Sequence, residues 1–427
     1  MALTGIRYLR LWPVVFWAVI AFQLTVLPDT LGIPAMSRVV NVLLLALLFT
    51  CAVTTLTGMR SERVTVFYCM PIALVLAGYF VNILLSANLD AFGYLGLAVP
   101  WLAALSVPFS RNFDPDRYWR YFYRFMIVAS IIAVVEYTAV FYGYLEPTDI
   151  KTKRGDFLKG VFTIFYAGDD PNTPIQERMY GVFAEPGAFC MYLLPAIAYA
   201  AFRRSWLAVA LFVVSMVYTL SIGGFIGLAI LAVFFVHRLS QRKGPVVSTI
   251  VVVVTVLVLT ASAGVLYSFF QDVELYKGDS AADREDNLRM FFSSHIVEVI
   301  GRAPLGMDLH GESLSAAGEG DRLYMGSNFA PGTALVIGGV SALVGYLVFL
   351  AVNTVCWVRL LTHKTRGMVF DCVYVSYPAL LTFVFQRATV FDSAFYAFLF
   401  AAPMLSLLRG TEAATGADPL QLAQDEA

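Results

Sequence analysis

The stretch RMYGVFAEPGAFCMYLLPAIAYAAF, residues 178–202, places a polar cluster directly before an apolar helix. Arg178, Glu185, Pro186 and Gly187 come first, and a run of membrane-spanning composition follows them. Ionisable groups at a membrane are costly unless they are paired or used. The stretch therefore predicts a membrane helix with a candidate site at its N-terminal end.

The rest of the chain is equally apolar. Hydrophobic residues make up 59% of the 427 positions and charged residues 14%, whereas soluble domains are about 25% charged. Mean hydropathy is +0.73. These values predict an all-α polytopic membrane protein, and the net charge of −1 gives no reason to expect a nucleic-acid partner.

Twelve apolar runs are long enough to be considered as membrane spans. The seventh and eighth are short and nearly continuous with each other. The predicted spans are 11–27, 39–57, 66–86, 92–109, 121–144, 184–202, 204–219, 221–237, 246–269, 332–359, 367–386 and 389–408.

The distribution of basic residues predicts the orientation. With the N-terminus in the cytoplasm, the short outer loops contain only Arg38 and Arg387, as the positive-inside rule requires. Most of the 29 Lys and Arg residues then fall on the cytoplasmic side: Arg7, Arg10, Arg60, Arg63, Arg111, Arg117, Arg120, Arg124, Arg203, Arg204, Arg238, Arg242, Lys243, Arg359, Lys364, Arg366 and Arg409. Both termini are therefore predicted to be cytoplasmic.

This topology gives one transmembrane domain over 1–409 and a small, acidic, disordered cytoplasmic tail over 410–427. Two long loops, about 145–183 and 270–331, lie on the outer side. Within the second loop, apolar residues at helical spacing predict an amphipathic helix over 281–300, lying on the membrane surface or across the mouth of the bundle.

The cluster before the sixth span has two interpretations. In the functional one, Arg178 and the unbonded N–H groups of the first helical turn, which includes Gly187, bind an anion, and Glu185 acts as a general base. In the structural one, Glu185 caps the helix and complements its dipole.

The second outer loop supplies further candidates. Arg284, Arg289 and Arg302 are suited to binding phosphate oxygens, because a guanidinium donates two parallel hydrogen bonds. They could equally be solvated or contact lipid headgroups. His310, in the glycine-rich stretch 301–311, could act as a base or a donor, or have no special role.

Four ionisable residues lie close to or within predicted spans. Arg387 precedes Asp392 by five residues, and pairing is the favoured role, with substrate contact as the alternative. Glu136 could relay protons or simply face water, and Asp371 starts a span. The chain contains no P-loop, zinc-protease or serine-hydrolase motif, and its outer loops contain no tight carboxylate cluster, so neither a cofactor nor a metal is predicted.

Four segments together resemble the O-antigen polymerase and O-antigen ligase superfamily. RMYGVFAEPG is similar to its Arg-x-x-Gly-Phe-x-Glu-Pro-Gly helix start. The other three resemble its Leu-Ser-x-Gly-Gly helix, its large loop with an arginine about fifteen residues before Pro-Leu-Gly, and the asparagine-containing start of the helix after that loop. They read YTLSIGGFIGLAI (218–230), RMFFSSHIVEVIGRAPLGMDL (289–309) and SNFAPGTALVIGGVSALVGYLVFL (327–350).

The chain departs from that pattern at two positions. Ile222 stands where the family often has an arginine that is assigned to the substrate pocket. Ser327 precedes Asn328, where ligases typically have histidine, and this difference favours the polymerase type.

The resemblance implies a metal-independent membrane glycosyltransferase at the periplasmic face of a bacterial inner membrane. Its donor would be an oligosaccharide on undecaprenyl diphosphate, and its acceptor another lipid-linked repeat unit of an O-antigen, capsule or exopolysaccharide. On this reading Arg178, Arg289, Glu185 and His310 are catalytic, and Arg284, Arg302, Asn328, Gly187 and Arg387 bind substrate. Membrane lipids and a protein that regulates chain length would be further partners.

Two other functions stay open. A ligase would transfer a finished glycan once, to lipid A core or to a protein. A polysaccharide transporter or flippase would concentrate polar groups near the membrane midplane, often in two related halves. Here the charges gather at the outer surface and the halves do not look alike, which favours glycosyl transfer.

Overall fold

The computed structural model of this chain describes residues 63–85, 98, 101–102, 115–152, 155–166, 178–183, 185–244, 246–257, 289, 297, 300–301, 304–306, 330–362 and 367–384. Predictions about other residues, such as the spans at 11–27, 39–57 and 389–408, lie outside these ranges.

Most of the described chain is helical. The helices are α1 (Arg63–Leu85), α2 (Pro115–Phe141), α3 (Pro186–Phe202), α4 (Trp206–Tyr218), α5 (Ile222–Ser240), α6 (Val246–Leu257), α7 (Ala330–Thr362) and α8 (Met368–Val384). Each falls on a predicted span. Three contain stretches long and apolar enough to cross a membrane, at Asp116–Phe141, Ile222–Ser240 and Ala330–Leu360. The described chain is thus mostly helical and compatible with a membrane protein, while the count of twelve spans stays a prediction.

The separation of the seventh and eighth predicted spans is confirmed as a break between helices. Helix α4 ends at Tyr218, α5 begins at Ile222, and Leu220 between them has a positive φ of 47°. A short 3₁₀ turn, Gln241–Lys243, follows α5.

Helix α3 is the centre of the bundle. It contacts α2, α4, α5 and α8, and nearly all of its side chains are buried, although it is only 17 residues long. The neighbouring helices expose large apolar side chains, such as Leu207 and Leu257. Helices that contact lipid are expected to expose apolar side chains on the outside of the bundle, around a core that is also mostly apolar.

A three-stranded antiparallel sheet follows α2. Strands β1 (Thr148–Thr152), β2 (Gly155–Lys159) and β3 (Ile164–Tyr166) pair in the order β1-β2-β3. The prediction of an all-α chain was therefore wrong for the first outer loop. Strands of three to five residues are too short for alternation to distinguish them from irregular loop.

The bundle has two distinct ends. At the sheet end, the backbone N–H of Met179 donates to the carbonyl of Tyr218, and Ile164 N–H donates to the Gly181 carbonyl. At the opposite end, called the arginine end here, Arg203 and Arg204 separate α3 from α4, and Arg238 lies in the last turn of α5.

Candidate functional site

Arg178 lies at the sheet end, beside the turn between α4 and α5. Its Nε donates to the Thr219 carbonyl at 3.2 Å, while the backbone N–H of Met179 donates to the Tyr218 carbonyl at 2.8 Å. The Arg178 side chain is half-buried. These bonds hold the guanidinium group against the start of the YTLSIGG segment, so the first two motif segments of the sequence are in contact.

Glu185 is the N-cap residue of α3, with extended backbone angles (φ −149°, ψ 141°), and Pro186 follows it inside the first turn. Its carbonyl accepts hydrogen bonds from the N–H groups of Ala188 and Phe189. Its side chain, however, makes no capping hydrogen bond. Glu185 is therefore the N-cap residue by position, as the structural interpretation had it, but its side chain does not bond the first turn. A half-buried carboxylate stands at the positive end of the central helix.

The start of α5 packs closely on α3 behind this cluster. Cys190 Sγ lies 2.8 Å from Thr219 Oγ1. A Cβ on Gly224 would lie 2.6 Å from the same sulfur, so only glycine permits this separation of the two helices. Ile222 stands where the O-antigen polymerase and ligase superfamily often has an arginine; it is the first residue of α5 and is half-buried.

The long helix α7 is broken near the sheet end. Gly339 has φ 66° and ψ −163°, which interrupts the helical hydrogen bonds. Val340 N–H instead donates to the Pro304 carbonyl at 2.9 Å, and Asn82 Nδ2 of α1 donates to the Ile337 carbonyl. The third and fourth motif segments therefore also contact each other, since Pro304–Gly306 packs against the break.

Asn82 was missed by the sequence reasoning. It is 4% exposed, and a Cβ on Gly306 would lie 2.8 Å from its Nδ2. The signal that could have identified it is a single amide within an apolar span, because such a group needs a hydrogen-bond partner in a membrane.

Two interior carboxylates have structural partners. Glu136 is 7% exposed and accepts hydrogen bonds from the backbone N–H groups of Val161, Phe162 and Thr163. The suggestion that it faces water is therefore wrong. Asp371 forms an ion pair with Arg238 at the arginine end, with 2.6 Å between Oδ1 and Nε.

The remaining predicted site residues are only partly described. Arg289 occupies an exposed helical position, and Val297, Ile300 and Gly301 of the same segment are helical and exposed as well. Gly187 is buried in the first turn of α3. Arg284, Arg302, His310, Asn328 and Arg387 lie outside the described residues. Within the described residues, no group of three or more His, Cys, Asp or Glu side chains could hold a metal ion.

No protein-family profile matches the chain, and no curated protein matches it either. The resemblance to the O-antigen polymerase and ligase superfamily therefore rests on the four motif segments alone. What the structure adds is that these segments make contact in two pairs.

Proposed function

We propose that the protein is a polysaccharide polymerase of the membrane glycosyltransferase type, acting at the periplasmic face of a bacterial inner membrane. The observation that carries the proposal is the contact between Arg178 and the Thr219 turn beside the N-terminus of α3. This contact brings a cation and the start of the Leu-Ser-x-Gly-Gly segment together, at the end of the bundle where Glu185 is the N-cap residue of α3.

The proposed substrates are two glycans linked to undecaprenyl diphosphate. The acceptor's sugar hydroxyl attacks the anomeric carbon of the donor, and the new glycosidic C–O bond forms as the bond to the diphosphate oxygen breaks. Undecaprenyl diphosphate leaves with the bonding electrons, and Glu185 takes the proton of the attacking hydroxyl.

Arg178 and Arg289 are proposed to stabilise the negative charge that develops on the departing diphosphate. Arg178 is fixed in place by its bond to Thr219, so little reorganisation is needed at the moment of reaction. Because Ile222 supplies no cation, this role falls on fewer arginines than the family pattern provides.

The test uses purified full-length protein in proteoliposomes, with lipid-linked repeat units as the only glycan. We expect a ladder of polymer lengths, reduced about 100-fold or more in Arg178→Ala and in Glu185→Gln. Two exposed residues provide controls with the same charge changes. Lys243→Ala removes a cation at the arginine end, and Glu146→Gln removes a carboxylate at the sheet end, and both should retain the ladder.

Three outcomes would contradict the proposal in different ways. A full ladder from folded Arg178→Ala would remove this residue from the mechanism. An intact substrate with wild-type protein would refute polymerisation. A single transfer to lipid A core or to a protein acceptor, with no ladder, would identify a ligase.

A further inference from the structure

The proposed base and the proposed cation are held by different parts of the chain. Glu185 is the N-cap residue of α3, whereas Arg178 is bonded through its Nε to the Thr219 carbonyl, in the turn between α4 and α5. Glycosyl transfer needs both groups at a fixed separation, because a misplacement of about 1 Å can slow a reaction about 100-fold. The connection between that turn and α3 therefore bears directly on the reaction.

Cys190 of α3 makes this connection. Its Sγ lies 2.8 Å from the Thr219 Oγ1, and both residues are fully buried. The direction of the bond follows from the second contact of the same hydroxyl. Thr219 Oγ1 donates to the Met216 carbonyl at 2.7 Å, and this bond uses the only proton that the hydroxyl has. The Cys190 S–H is therefore the donor to Thr219 Oγ1.

Thr219 is thus bonded to α3 through its side chain and to Arg178 through its carbonyl. Cys190 lies five residues after Glu185, in the second turn of the same helix. One rigid helical segment and two hydrogen bonds therefore connect the proposed base to the proposed cation. Helix α5 closes the other side of this connection, because even a Cβ on Gly224 would lie only 2.6 Å from the Cys190 sulfur.

The backbone of the turn is itself in an unusual conformation. Leu220, the residue after Thr219, has a φ of 47°, in the left-handed region that favours glycine, and its N–H donates to the Val217 carbonyl at 3.0 Å. A conformation of this kind persists only where the surrounding structure fixes it, and such residues are concentrated at functional sites. The bonds that Thr219 makes on both sides supply the fixation.

We propose that Cys190 is a positioning residue, whose S–H acts through Thr219 to set the place of the Arg178 guanidinium relative to the Glu185 carboxylate. Cys190 itself touches neither the substrate nor the reacting atoms. The inference rests on the proposed glycosyl transfer, since that reaction gives Arg178 and Glu185 their roles. Because Arg178 stabilises charge that develops in the transition state, its displacement lowers kcat and leaves KM nearly unchanged.

The test measures initial rates of chain growth by the full-length protein in proteoliposomes, with lipid-linked repeat units as substrate. We expect Cys190→Ala, which removes the donor, to lower kcat about tenfold while KM changes by less than about twofold. Cys190→Ser keeps a donor and should recover most of the rate. Cys372→Ala is the matched control, because it removes an equally buried thiol from α8 at the arginine end and should retain the wild-type kcat.

A double variant separates positioning from packing. If Cys190 acts through Arg178, then Cys190→Ala should cause no further loss of kcat in an Arg178→Ala background, whereas independent effects would multiply. Thr219→Val removes the acceptor hydroxyl but keeps the carbonyl that binds Arg178. It should show the same loss and the same coupling, and it serves as the test if Cys190→Ala does not fold.

The outcomes that would overturn this inference differ from those that would overturn the proposed function. A wild-type protein that makes no ladder would refute polymerisation, and the role of Cys190 with it. A wild-type ladder with an unchanged kcat in folded Cys190→Ala, or with a further tenfold loss in the Arg178→Ala background, would overturn the positioning role alone. An equal loss in Cys372→Ala would overturn it in favour of general packing.

Discussion

Glu136 shows how one side chain can position a whole outer loop. Its two carboxylate oxygens accept from three successive backbone N–H groups and from Thr163 Oγ1, at distances of 2.7–3.1 Å. These residues join β2 to β3, and β3 in turn bonds to Gly181, three residues after Arg178. The carboxylate thus connects α2 to the segment that carries the candidate site.

We expect Glu136→Gln to destabilise the protein by about 1–3 kcal/mol, because the hydrogen bonds to this group lose the charge that strengthens them. The amide NH₂ group would also replace Oε1, which accepts from the Phe162 N–H, and would place a donor against a donor. The thermal midpoint in detergent, followed by tryptophan fluorescence, measures this. Glu146→Gln makes the same change at an exposed position and should leave the midpoint unaltered. Equal midpoints for the two variants would show that the carboxylate does not hold the loop.

At this scale the sequence identifies candidates but not their partners. Arg178 and Glu185 stand out because few polar residues adjoin the apolar runs, and both lie where the motif predicts, before and at the start of α3. The acceptor for Arg178 is a backbone carbonyl 41 residues away, which no local pattern reveals. The same holds for Glu136, whose donors are 25 to 27 residues further along the chain.

Among the elements, the break in α7 depends on the fit between Gly339 and Pro304–Leu305. A Cβ on Gly339 would collide with the backbone of those two residues, and its φ of 66° is in the region that favours glycine. Asn82 and Pro304 then satisfy the backbone groups that the break releases. Irregular backbone at membrane depth is tolerated only where the released N–H and C=O groups find hydrogen-bond partners within the protein or in a water-filled cavity.

We expect Gly339→Ala to cost at least about 1–3 kcal/mol, the usual strain of an L-residue in this conformation, with the collision added. The measurement is again the thermal midpoint in detergent. Gly367→Ala is the control, because a Cβ there meets nothing within 4 Å. A midpoint as high as that of the control would mean that α7 is not broken at Gly339.

Helix positions were largely predictable, whereas breaks and strands were not. The apolar runs predicted the ends of α3, α4, α5 and α8 to within about three residues. They could do so because lipid-facing and core-facing helix positions select the same apolar residue types. The α7 break was missed because Gly338 and Gly339 lie within an uninterrupted apolar run, and the residues that stabilise the break come from elsewhere in the chain.

For the molecule as a whole, the two ends differ in chemistry. The sheet end combines the Arg178–Thr219 contact, the start of α3 and the α7 break. The arginine end combines Arg203 and Arg204 with the Arg238–Asp371 ion pair, and the guanidinium carbon of Arg238 also lies 5.2 Å from the Tyr374 ring centre.

This arrangement leads to a prediction about orientation. Positive residues are retained in the cytoplasm, so the arginine end should face inward and the sheet end outward. Tyr144, after α2, is 86% exposed at the sheet end, and Lys243, after α5, is exposed at the arginine end.

In a background with all five cysteines replaced by serine, a membrane-impermeant maleimide should label Tyr144→Cys in intact spheroplasts. Lys243→Cys should be labelled only after permeabilisation. Labelling of both cysteines from one side would mean that α3, α4 and α5 do not cross the membrane in alternating directions. The reverse pattern would place Arg178 and Glu185 in the cytoplasm, where the proposed periplasmic transfer could not occur.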